Sequence, residues 1–164
     1  MKYAKPEWRN GQPYNPDFAD VYFSADNGLA ESEHVFIQHN QLPERFKQLA
    51  RQAIDNNVSQ FVIAETGFGS GLNFLLSVKH WLQFSHASQT LCFYSLEHAP
   101  FCSEDLQRAQ QAWPELAEFA QALQQVYQIA SDGFHLLELF SGRVRLILMI
   151  GEAEQMLSQC QASV

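Results

Sequence analysis

The sequence predicts an α/β fold with a largely parallel sheet, and three observations carry that prediction. Short apolar runs at 61–64, 90–96 and 144–150 read as strands. Stretches with helical spacing at 72–82, 103–112 and 115–125 separate them. Strand and helix in alternation indicate parallel strands joined by crossover helices. A glycine-rich segment joins the first of these strands to its helix, where open α/β sheets present their ligand sites.

Each element follows from its residues. Positions 1–30 are rich in Pro, Asn, Asp and Gly, with one short apolar piece, Val21-Tyr22-Phe23. They predict loops and a short strand laid over a domain. EHVFI at 33–37 is a second strand candidate. From 42 to 57, apolar residues recur at Phe46, Leu49, Ala50 and Ala53, a helical spacing. Pro43 suits its first turn, and Asn56-Asn57 its end. The run FVIA at 61–64 is apolar at every position, as in a strand covered on both faces. Ser103 is the expected N-cap of the helix 103–112, and Pro114 separates that helix from the next. Residues 134–140 and 144–150 read as two strands joined by a short turn, Ser141-Gly142-Arg143. A helix over 153–160 closes the pattern. The expected division is a front segment, 1–58, and a Rossmann-like core, 59–164.

Composition restricts function. The chain has 164 residues, of which 46% are hydrophobic, enough for one domain with a real core. A net charge of -8 argues against a strong autonomous grip on nucleic acid, which needs a basic face. No apolar run is long enough to span a bilayer, and MKYAKPEWRNGQP lacks the apolar core of a signal peptide. Cys92, Cys102 and Cys160 form no CxxC pair and read as free thiols, so a cytoplasmic location is expected. The six histidines have no metal-ligand spacing, and there is no G-x-S-x-G elbow. No metal site is expected.

The informative segment is AETGFGSGLNF, 64–74. Its order is Glu65-x-Gly67-x-Gly69-x-Gly71. This is neither G-x-G-x-x-G nor a phosphate loop, which would continue into Gly-Lys-Ser/Thr. An acid two residues before the first glycine repels a pyrophosphate and suits a cation. S-adenosylmethionine fits, with a sulfonium, an ammonium and no phosphate. The glycine spacing alone is equally compatible with a tight turn whose glycines only pack. A second acid, Glu97, ends the strand TLCFYSL, where nucleoside-binding folds place a carboxylate for the ribose hydroxyls. An exposed strand-end charge is the plainer reading of it. Glu152, after Gly151, stands where an acid can meet an adenine amino group or simply a helix dipole. His98 either borders the adenosine or lies on the surface. The aromatics Phe18, Tyr22, Phe23, Phe68 and Phe74 read as core or lid. Phe68, between two glycines, is expected to face ligand or solvent.

FVIAETGFGSGLNFL, YSLEHAPF, DLQRAQQAWPEL and GRVRLILMIGEAEQML together resemble the N-terminal methyltransferase domain of the MnmC family, the bifunctional proteins of tRNA 5-methylaminomethyl-2-thiouridine biosynthesis. FADVYFSADNGLAESEHVFIQHNQLPERF resembles that family's front segment. The resemblance covers nearly the whole chain. It implies the N-terminal portion of a class I S-adenosylmethionine-dependent methyltransferase fold, preceded by an irregular, partly β segment. It implies methyl transfer to the aminomethyl group of 5-aminomethyl-2-thiouridine at the tRNA wobble position. S-adenosyl-L-methionine would be the cofactor, held by Glu65, Thr66, Gly67, Phe68, Gly69, Gly71, Asn73, Glu97, His98 and Glu152. FAD would belong to the family's C-terminal oxidoreductase domain, a partner of this one along with the tRNA.

Two departures from the family pattern matter. Gly151 is followed by Glu152, where the family usually has Asp. The Asp-Gly-Phe-Ala-Pro loop, whose Asp is the expected catalytic acid, would fall beyond Val164. The chain is therefore expected to be a partial domain, inactive alone, with an open sheet edge and a tendency to self-associate. The alternative is a non-catalytic remnant that binds adenosyl ligands. An NAD-dependent oxidoreductase is a third reading, disfavoured by the glycine spacing and by Glu65.

Overall fold

The computed structural model describes residues 1–9, 11–16, 20–22, 27–56 and 60–160, with backbone alone at 20 and 53–56. The expectations placed on Phe18, Phe23 and Asn57 lie outside the described residues. An antiparallel sheet of β1 (Glu7–Arg9), β2 (Gln12–Asn15) and β3 (Asp20–Val21) opens the chain. A short helix α1 (Gly28–Ser32), a π-helical turn (Glu33–Gln38) and α2 (Leu42–Asn56) follow. The main sheet then alternates with helices: β4 (Gln60–Thr66), α3 (Leu72–Phe84), β5 (Thr90–Glu97) and α4 (Ser103–Gln110). A 3-10 turn (Pro114–Leu116), α5 (Ala117–Val126), β6 (Gly133–Leu139), β7 (Val144–Ile150) and α6 (Ala153–Gln159) complete it.

The main sheet has the order β4-β5-β7-β6. β4, β5 and β7 run parallel, and β6 pairs antiparallel with β7. This parallel-rich sheet with crossover helices is the α/β architecture the sequence predicts. The hairpin turn between β6 and β7 places Phe140 and Ser141 at φ 52° and 55°. It is held from outside: the Trp81 indole N–H donates to the Arg143 carbonyl at 3.0 Å, and Thr90 Oγ1 donates to the Gly142 carbonyl at 3.2 Å.

Register explains the core. Ile63, Phe93, Leu146 and Leu137 form one row across the sheet, on the face that also carries Glu65 and Ser95. The amphipathic faces of α3, α4 and α5 cover this face with Phe74, Leu75, Trp81, Leu106 and Leu123, all buried. The other face carries Val62, Tyr94, Ile147 and Leu136, and α6 covers part of it, with Met156 against Leu96 and Met149.

Three local expectations are corrected. EHVFI is not a strand. Ile37 of the π-helical turn is fully buried, Glu33 reaches His80 of α3 at 2.9 Å, and the His39 N–H donates to the His34 carbonyl. These contacts override the β propensity of Val35, Phe36 and Ile37. β4 is not covered on both faces: Ile63 is buried but Val62 is 59% exposed. Ser103 is the first residue of α4, not its cap; extended Cys102 precedes the helix, and Ser103 Oγ donates to the Tyr127 carbonyl at 3.4 Å.

Candidate functional site

The glycine segment turns tightly between β4 and α3, at the C-terminal end of the parallel strands. Gly67 and Gly71 both hold positive φ, at 83° and 76°, but for different reasons. A Cβ on Gly71 would lie 2.9 Å from Cζ of Phe68, so Gly71 makes room for that ring. A Cβ on Gly67 would meet nothing within 4 Å. The conformation explains a glycine there, and the open space remains available to something outside the protein. Gly71 is thus accounted for by packing and conformation together, and Gly67 by conformation alone.

Phe68 does not face solvent, although it lines the cleft beside the glycine turn. The ring is 4% exposed and packs against Phe74 and Tyr127, at 6.1 and 6.5 Å between centroids.

Two carboxylates tie the turn to the sheet. Glu65 is the penultimate residue of β4 and shares a face with Ser95. Its Oε1 accepts from Ser95 Oγ at 2.9 Å and its Oε2 from Asn73 Nδ2 at 3.2 Å. Burial pushes the Glu65 carboxyl up to about 7; the bonds from Asn73 and Ser95 oppose that shift and nearby Glu97 adds to it. Glu97 ends β5. Its Oε2 accepts the Gly69 N–H and its Oε1 the Ala99 N–H, both at 2.9 Å. It therefore clamps the glycine turn to the loop after β5, and each oxygen keeps a second acceptor site.

Two clefts adjoin this clamp. One, of about 350 Å³, lies between the glycine turn and the π-helical turn and is lined by Glu31, Val35, Phe36, Gly67, Gly69 and Asn73. The other, of about 370 Å³, is lined by Asn15, Glu97, His98, Ala99 and Glu152. Tyr22 lines both. Its ring packs on Phe101 at 4.5 Å, and a Cβ on Gly69 would lie 3.9 Å from it.

The remaining expected residues are placed as follows. Thr66 pairs with Leu96 in register and is exposed on the opposite sheet face from Glu65. His98 Nδ1 lies 3.3 Å from Glu152 Oε1, and both side chains are largely exposed. Glu152 stands at the start of α6 without a side-chain capping bond. Among the described residues, no three His, Cys, Asp or Glu side chains come together to hold a metal ion. No helix among them is long and apolar enough to cross a membrane.

Sequence reasoning missed Ser95, Asn15 and Glu31. Ser95 had a signal: it is the one serine inside the apolar run TLCFYSL, and a buried hydroxyl needs a partner. Asn15 and Glu31 reach the clefts through tertiary placement of the front segment, which no local pattern announces.

No protein-family model matches the chain. Curated relatives do. The chain is 44% identical over 165 residues to the tRNA 5-methylaminomethyl-2-thiouridine biosynthesis bifunctional protein MnmC of Aeromonas salmonicida, covering 97% of the chain. It is 42% identical over 156 residues to the MnmC of Methylobacillus flagellatus, covering 95% of the chain. Over nearly its whole length the chain is similar to MnmC proteins. It spans about a quarter of the length of these MnmC relatives, 24% and 23% respectively. A crystal structure of MNMC2 from Aquifex aeolicus matches its fold with a TM-score of 0.59 at 18% identity, over 92% of this chain and 42% of that one.

Proposed function

We propose that the chain is the methyltransferase portion of an MnmC protein, binding S-adenosylmethionine along the glycine turn and methylating the aminomethyl group of 5-aminomethyl-2-thiouridine in tRNA. Its fold on this reading is the first part of a class I methyltransferase core, 59–164, with 1–58 as a front segment. The observation that carries the proposal is the glycine turn between two carboxylates, open at Gly67, with an acid where a phosphate site would need a donor.

The residues present fit this ligand. Glu65 is half-buried and its carboxyl, pushed up to about 7, is only partly ionised at neutral pH, so an ammonium nearby would favour its charged form by taking the place of the proton. Asn73 lines the cleft and holds one Glu65 oxygen, which sets where the negative charge is presented. Glu97 orients toward the second cleft acceptor sites suited to a pair of ribose hydroxyls. Exposed His98 and Glu152 border the same cleft at the adenine end. When bound, S-adenosylmethionine supplies an electrophilic methyl group. The chain's contribution is to orient it and to bring the uncharged amine of the tRNA base in line from the cleft beside Val35 and Phe36. FAD and the oxidoreductase chemistry belong to the family's other portion.

Methyl transfer is tested by fusing this chain to the downstream three-quarters of the Aeromonas salmonicida relative. The fusion is supplied with labelled S-adenosylmethionine and hypomodified tRNA. Label appearing in 5-methylaminomethyl-2-thiouridine is expected, and a fusion that binds the cofactor but leaves the tRNA unlabelled would contradict the proposal.

A further inference from the structure

We infer that Gln110, outside both clefts, is a positioning residue for the glycine turn. Gln110 ends α4 and is 3% exposed. Its Nε2–H donates to the Ser70 carbonyl at 3.0 Å, and its Oε1 accepts from Gln124 Nε2 of α5 at 2.9 Å. The Ser70 carbonyl can only accept, so it fixes which end of the Gln110 amide faces it, and Gln124 braces the other end.

Ser70 is 4% exposed and stands between Gly69 and Gly71, both at positive φ. A peptide unit that leads into a glycine turns over at lower steric cost than one between two larger residues. Here the Ser70–Gly71 unit is held at both ends. Gln110 binds its carbonyl, and its N–H donates to the Phe68 carbonyl at 2.8 Å. Glu97 holds the Gly69 N–H from the β5 side. Gln110 is thus the tie from behind. It lines a separate groove with Trp113 and Gln124 between α4 and α5, so its effect on a ligand passes through the backbone of the turn. The helical spacing Leu106, Ala109, Gln110 shows the same thing in sequence: a polar residue on the face of α4 that is otherwise buried.

The ligand consequence rests on the adenosyl reading above; the positioning itself does not. Gln110→Met keeps the volume and removes the donor. Hydrogen exchange of the Gly71 amide, read by NMR on the 164-residue chain, is expected to speed up about tenfold, the scale of one lost hydrogen bond. The Phe93 amide in the core of β5 should not change. Affinity for S-adenosylhomocysteine should fall about tenfold. Gly71 exchange that is unchanged, or that rises only in step with Phe93, overturns the inference. If Gln110→Met does not fold, Gln124→Met, which removes only the bond that braces Gln110 Oε1, is read in the same way. There, selective acceleration at Gly71 supports the inference and its absence overturns it. Selective acceleration in a chain that does not bind S-adenosylhomocysteine, before or after substitution, supports the positioning role and counts against the adenosyl reading.

Discussion

Glu65 makes the site sensitive to pH. Its carboxyl ordinarily titrates near 4.5 and is pushed up to about 7 in the folded chain. Between those values the folded state keeps a proton that the unfolded state has lost. Stability from this group is therefore full below pH 4.5 and falls as pH rises through 7. The difference is on the order of 3 kcal/mol. Glu65→Gln removes the titration, so urea unfolding should find the variant more stable than the parent at pH 8 and nearly equal to it at pH 4.5. A second residue-scale test separates the glycines. Gly71→Ala forces a Cβ to 2.9 Å from Phe68 at a positive φ and should cost about 2–4 kcal/mol of stability. Gly67→Ala has open space and should cost only about 1 kcal/mol, from its φ alone. Equal losses in denaturant melts would remove the distinction between a glycine required by packing and one required by conformation alone. Glu97→Ala is expected to weaken adenosyl binding by roughly 1.5 to 3 kcal/mol, measured by calorimetry, since it removes a ligand carboxylate and frees the Gly69 N–H together. At this scale the acids and glycines were legible in sequence, because their spacing is local. The inward turn of Phe68 was not, because it depends on Tyr127, distant in the chain.

At the scale of elements, the sequence was readable wherever an apolar period decided the outcome. The strands 60–66, 90–97 and 144–150 and the helix 72–84 fall within a few residues of their expected bounds. It misled where tertiary contacts won. The π-helical turn at 33–38 carries β-branched and aromatic residues, yet it is held by the Glu33–His80 contact and by buried Ile37. The continuous run at 61–64 promised two covered faces, but the register gives Val62 to the face that α6 covers only in part. That face also exposes Leu136 and Phe134, at 60% and 46%. Apolar surface of this kind, on a sheet face whose edge strands β4 and β6 each pair on one side only among the described residues, favours association between copies. Leu136→Lys should reduce the sedimenting oligomer fraction at high concentration and leave the unfolding midpoint nearly unchanged. A fraction that does not respond would place the contact elsewhere.

For the molecule as a whole, charge limits what this chain does by itself. At net charge -8, tRNA binding by the 164 residues should be weak and should fall steeply between low and moderate salt. Tight, salt-resistant binding in a filter assay would contradict the view that the basic tRNA surface lies in another part of an MnmC protein. The fold class was legible at this scale because strand-helix alternation is a global pattern. The joining of two clefts at Tyr22 was not, because it needs the front segment docked on the main sheet. The central claim is that the turn Gly67–Gly71, clamped by Glu97 and preceded by Glu65, is built for an adenosyl cation rather than a dinucleotide. Calorimetric titration of the chain and of Gly69→Val with S-adenosylmethionine, and of the chain with NAD, tests it most directly. The account predicts saturable binding of S-adenosylmethionine that Gly69→Val abolishes, and no heat with NAD. Binding of NAD in its place, or S-adenosylmethionine affinity unchanged by Gly69→Val, would contradict it.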